Sequence, residues 1–160
     1  MSIPVVYDAM LLCMRAARPH RSRATFELVE AGLVQLFLSE EVVAEVKDVI
    51  TRPSYVRQFP ALCDPAAAVV FIARLRQMAN LISPVPIPFA LKRDPKDSKY
   101  INLAIAADAE FLVTRDLDLL DLTKAETPQA EELRALSPRL KIVEPGPFVQ
   151  TIFERTRKNA

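Results

Sequence analysis

The chain has 160 residues, 51% of them hydrophobic and 26% charged, with a net charge of +1. That length suits one domain able to bury roughly 70% of its unfolded surface. The near-neutral balance offers no bulk polycation, so nucleic acid would have to meet a local basic patch. Gly32 and Gly146 are the only glycines and His20 the only histidine, which excludes a Gly-rich phosphate loop, a dinucleotide fingerprint and a two-histidine zinc site. A Ser-His-Asp triad would have to be built on His20 with no GxSxG elbow. Cys13 and Cys63 are too few for a disulfide framework and match no metal spacing, so both read as reduced core thiols of a cytoplasmic protein. Met1 leads directly into a strand pattern and no apolar run approaches about 18 residues, so neither a signal peptide nor a membrane span is expected. Carboxylates remain, and with Mg²⁺ or Mn²⁺ they form the one catalytic system this composition readily supplies.

Along the chain, Ile3 to Tyr7 reads as a strand buried on both faces, with Asp8 at its carboxyl end. Arg18 to Arg23 is a basic loop. Ala24 to Ala31 reads as a helix closed by Gly32, and Leu33 to Leu38 as a second strand. Ser39 is placed to cap a helix from Glu40 to Thr51, stopped by Pro53, whose apolar positions Val42, Val46 and Val49 flank Glu45 as a candidate inward carboxylate. Tyr55 to Leu62 suggests a short helix or turn. Asp64-Pro65 opens a long helix to about Ala79, with Val69, Ile72, Leu75 and Arg76 in its stripe. Leu81-Ile82 suits a short strand, and Pro84, Pro86 and Pro88 force Val85 to Leu91 to be extended.

The stretch RDPKDSKYINLAIAADAEFLVTRDLDLLDL, from Arg93 to Leu122, organises the rest. Asp97 stands where an N-cap belongs, before a helix running to about Asp108. Phe111-Leu112-Val113 reads as a buried strand that delivers Asp116 and Asp118 just past its end. A helical turn over Leu119 to Leu122, a helix from Thr127-Pro128 to about Leu136, a strand over Leu140 to Val143 and a helix from Pro147 complete the chain, and Arg155 to Ala160 is expected to fray. Strands alternating with helices predict an α/β fold: a three-layer α/β/α sandwich, residues 1–160 as a single domain, on a mostly parallel sheet. In such sheets ligands bind beyond the carboxyl ends of the strands. Asp8, Glu45, Asp97, Asp116 and Asp118 would converge there, and clustered carboxylates repel one another unless a divalent cation neutralises them. Arg18, Arg21, Arg23, Lys96 and Arg115 are the basic candidates for contact with a nucleic acid.

With these residues in place the chain resembles the PIN-domain ribonucleases, in particular the bacterial group described as toxin components of toxin-antitoxin systems. The likeness spans VVYDAM, SEEVVAEVKDVITRPSY, the central stretch and LKIVEP. It implies a PIN-like fold and Mg²⁺- or Mn²⁺-dependent cleavage of RNA. It also implies a catalytic set of Asp8, Glu45, Asp97 and Asp116, with the ion on Asp8, Asp97, Asp116 and Asp118. An antitoxin protein and a homodimer are the implied partners, and no membrane is. The family's opening Asp-x-Asn is here Asp8-Ala9-Met10, which replaces an amide by a thioether unable to donate or accept a hydrogen bond comparably. Two readings of Met10 follow: a weakened metal site, leaving a module that binds RNA or an antitoxin, or a core side chain behind the first strand. A haloacid-dehalogenase-like phosphatase needs a second acid where Met10 stands, and a response-regulator receiver needs an order of acids and lysine that the chain lacks.

Overall fold

The computed structural model describes residues 2–21 and 23–160; Met1, which precedes the first strand, and Ser22, within the basic loop, lie outside the described residues. Among the described residues five strands form the sheet: β1 (Ile3–Tyr7), β2 (Val34–Ser39), β3 (Asn80–Ile82), β4 (Phe111–Val113) and β5 (Lys141–Val143). Their order is β3-β2-β1-β4-β5, and every neighbouring pair is parallel. Val5, Val6, Tyr7, Leu112 and Val113 are fully buried, as two-sided coverage of a parallel sheet requires. Among the described residues nine helices carry the connections: α1 (Ala9–Ala17), α2 (Arg23–Glu30), α3 (Glu40–Thr51), α4 (Pro53–Val56), α5 (Pro65–Met78), α6 (Ser98–Ala106), α7 (Leu117–Leu122), α8 (Pro128–Leu136) and α9 (Pro145–Asn159). Helices α1, α3 and α5 pack together, α6 lies against β1, β2 and β4, and α2 packs with α9. In that last group Tyr7 meets Phe26 and Phe148 edge-on, each with ring centroids 5.9 Å apart. The result is the expected three-layer α/β/α arrangement.

Most helix starts follow from side-chain caps. Ser39 accepts from the Val42 N–H, Asp64 from Ala66 and Thr127 from Ala130, each satisfying a donor that the first turn leaves without a partner. Helix α2 ends where Gly32 takes φ +72°. There the Gly32 N–H bonds to the Val29 carbonyl and the Leu33 N–H to the Leu28 carbonyl, the Schellman closure.

Several expectations fail for identifiable reasons. Asp97 stands at the N-cap position of α6 but does not cap it: it ends a 3₁₀ turn over Pro95–Asp97 in helical conformation with no side-chain cap bond, and Asp94 caps that turn through the Lys96 N–H. Val69, placed in the buried stripe of α5, is 71% exposed, because α5 lies at the margin of its layer and buries only Leu75 fully. Cys13 is buried as expected, but Cys63 is exposed. The last helix starts at Pro145, two residues early, and continues through Asn159. Along its tail, Arg155 pairs with Glu110 at 2.7 Å and lies over the Phe111 ring. Met10 is not core either, being 55% exposed. Among the described residues no helix is long and apolar enough to cross a membrane.

Candidate metal centre

The sheet's carboxyl edge is assembled by β1 and β4, whose ends are joined by the Asp8 N–H donating to the Val113 carbonyl at 3.2 Å. Asp8 is the N-cap of α1, accepting from the Leu11 N–H at 2.8 Å through Oδ1. Its Oδ2 accepts from the Thr114 hydroxyl at 2.5 Å. Thr114, fully buried, also accepts from the Asp116 N–H at 3.0 Å. One hydroxyl thus fixes the distance between the two strand-end aspartates. Asp116 caps α7, its Oδ1 receiving the N–H groups of Asp118 at 2.8 Å and Leu119 at 3.3 Å. This use of a single oxygen leaves Oδ2 without a backbone partner.

Glu45 enters from the middle of α3. Its Oε2 accepts from the Tyr100 hydroxyl at 2.7 Å and pairs with Lys99 Nζ at 2.7 Å. The Tyr100 oxygen accepts from the Ala9 N–H at 3.3 Å, so α3, α6 and the first residue of α1 meet at one phenol. Asp97, freed from capping, stands near enough to Asp116 for the two carboxyls to interact. Asp8, Met10, Glu45, Asp97, Tyr100, Arg115, Asp116 and Leu119 line one pocket of about 310 Å³.

Electrostatics mark the same place. Burial raises the Asp8 pKa above the usual carboxylate range, more than the Thr114 and Leu11 hydrogen bonds lower it, and the charges of Asp116 and Glu45 raise it further. Asp97 is pushed up to about 7, first by burial, then by the charges of Asp94 and Asp116, against the opposing pull of Lys99. The Tyr100 phenol is raised by burial and by its bond to Glu45, and so stays a donor.

Asp8, Glu45, Asp97 and Asp116, expected to converge, are therefore brought together. Asp118 is not: it stands outside the pocket and pairs with Arg93 at 3.4 Å. Arg115 lines the pocket, whereas Lys96 lines a neighbouring cavity of about 430 Å³ that contains none of the four acids. Arg18, Arg21 and Arg23 lie beyond the far end of α1, whose nine residues span about 14 Å. There Arg18 lies over Phe59 and Arg23 pairs with Glu27. Thr114 and Tyr100 are the site residues that sequence reasoning missed. The Thr114-Arg115-Asp116 run held the signal for the first; the second depends on a contact across 55 residues.

The donor set is all oxygen and anionic, which fits hard cations such as Mg²⁺ or Mn²⁺. As the side chains stand, no three Asp, Glu, His or Cys groups among the described residues converge to hold an ion. The residues fit the ion by donor type and by charge, with side-chain rotation required to close around it.

Fold and pocket together define an α/β protein with an acidic cleft at the carboxyl edge of its sheet. A family model described as PIN domain matches residues 5–118, well over half of the chain and inclusive of all four pocket acids. The chain belongs to the PIN domain family, whose members are generally metal-dependent nucleases. The crystal structure of PAE2754 from Pyrobaculum aerophilum is similar in fold, with a TM-score of 0.58 over 95% of this chain and 90% of that one at 15% identity. No curated protein matches the chain significantly.

Proposed function

We propose that the protein is a metal-dependent endoribonuclease acting through the pocket of Asp8, Glu45, Asp97 and Asp116. That these four acids, from α1, α3, the 3₁₀ turn and α7, line one pocket carries the reading. Asp8, Asp97 and Asp116 would hold Mg²⁺ or Mn²⁺; the ion would supply charge neutralisation at the scissile phosphate and a more acidic water. Thr114 keeps Asp8 and Asp116 at fixed separation, and Lys99 with Tyr100 aims Glu45. Arg115 is available for an RNA phosphate. Asp97 carries a proton near neutral pH at its carboxyl, which it must give up for an ion to bind.

A toxin-antitoxin role, in the cytoplasm as a single-domain protein with an antitoxin partner and a possible homodimeric state, rests on the sequence resemblance alone. A second reading, a module that binds RNA but cuts it poorly, is favoured by the exposed Met10 thioether at the pocket mouth, which gives Asp8 no hydrogen bond. Incubating single-stranded RNA with the native protein and Mn²⁺ separates the two. Cleavage that is stopped by chelator and absent in Asp116→Asn supports the nuclease; binding without cleavage supports the module.

A further inference from the structure

Beside the acidic pocket lies a hollow of about 240 Å³ lined by Asp8, Met10, Leu11, Met14, Arg115 and Pro145. It shares Asp8, Met10 and Arg115 with the acidic pocket, so the two are contiguous. Their chemistry differs. The Asp8 carboxylate accepts from Thr114 and the Leu11 N–H and the Met14 sulfur from the Tyr55 hydroxyl at 3.6 Å, so what the hollow offers is the Met10 thioether, the Met14 side chain, an isobutyl group and a proline ring beside one guanidinium. Met10 leaves 55% of its surface in water beside a pocket built of acids. Arg115 is exposed and makes no hydrogen bond or ion pair with any described residue, so its planar fork is free.

We infer that this hollow is a nucleobase subsite, in which the base next to the phosphate at the acidic pocket lies against Met10 and Met14 with Arg115 alongside. The inference rests on the ribonuclease reading and adds which part of the strand the site grips. Three observations support a base as the occupant. In a nucleotide the base lies one sugar away from its phosphate, and here an apolar hollow lies one shared wall away from an acidic pocket. The volume is below the roughly 300 Å³ at which pockets for drug-sized ligands begin, which suits a single flat ring system. Thioether sulfur is polarisable and favours contact with aromatic rings, and an unpaired guanidinium both stacks on a base and pairs with phosphate. With no fixed hydrogen-bonding group other than Arg115 facing the ring, the subsite senses the presence of a base more than its identity.

The test is fluorescence-anisotropy binding of a short single-stranded RNA in Ca²⁺, an oxygen-seeking ion suited to the acids. The strand is compared with versions lacking one base at each position in turn. Removing the base at one position should weaken binding to the native protein about five-fold, the lower end of base stacking in single-strand sites. Met10→Ala, a change at an exposed position, should shrink that ratio to below two, and Met10→Leu should keep most of it. A strand that binds with no position sensitive to base removal, or a ratio unchanged in both Met10→Ala and Met14→Ala, overturns the subsite and leaves the ribonuclease reading standing. Failure of the intact strand to bind the native protein overturns the ribonuclease reading, and the subsite with it.

Discussion

Replacing Asp97 by Asn should stabilise the metal-free protein at alkaline pH. The folded state holds the Asp97 proton up to about pH 7 against an ordinary value of 3.8. Below 3.8 the carboxyl is protonated in both states and contributes nothing. Between 3.8 and 7 the unfolded chain releases the proton first, so stability falls as pH rises, and above 7 the full penalty applies. Unscreened, the shift corresponds to roughly 4 kcal/mol at 1.36 kcal/mol per pH unit. Asp97 is partly exposed, however, and solvent screening reduces the penalty to about 1 to 2 kcal/mol. Asn keeps the size and hydrogen-bonding capacity of the carboxyl without the charge. Thermal melts in chelator should therefore show Asp97→Asn gaining roughly 3 to 6 °C over the native protein at pH 8, with the gap closing near pH 4. Destabilisation at pH 8, or a gain of equal size at both pH values, would refute the reasoning and make Asp97 a structural residue.

Asp116 should separate capping from charge: Asn caps a helix about as well as Asp, so Asp116→Asn keeps metal-free stability, whereas Asp116→Ala loses about 1 kcal/mol in denaturant titrations. Arg115→Ala should lower the salt slope of RNA binding by about one. Joint replacement of Arg18, Arg21 and Arg23, which lie at the far end of α1, should leave that slope unchanged in the same anisotropy assay. Met10→Asn, at an exposed position, should shift stability by no more than about 0.5 kcal/mol. If the amide supports Asp8 as the family pattern implies, calorimetry should show Mn²⁺ affinity rising about 10-fold or more.

Where cap and breaker chemistry is local, the fold was legible in the sequence. Ser39 with Pro53 bounded α3, Thr127-Pro128 opened α8, and the apolar run Phe111–Val113 had no reading other than a buried strand. The failures have the opposite character. Asp94-Pro95 carries the same cap signal as Asp64-Pro65, but its 3₁₀ turn moved the cap one step upstream and released Asp97 for the pocket. Periodicity placed Val69 on an apolar stripe without indicating that nothing covers the margin of α5. Asp8 and Asp116 were found because each follows a strand, Glu45 because it faces inward on a helix, and Asp97 because it stands at the start of one. Tyr100, which ties Glu45 to the first turn of α1, and Thr114, which bridges two aspartates, act through contacts formed only once distant segments meet.

The central claim, that these carboxylates form a divalent-ion centre, is tested most directly by titrating Mn²⁺ into the native protein at pH 7 by calorimetry in two buffers of different ionisation enthalpy. With the Asp97 carboxyl titrating near 7, binding should release about half a proton per ion, and Asp116→Asn should abolish the binding. No binding by the native protein, or binding of equal affinity in Asp116→Asn with no proton released, would contradict it.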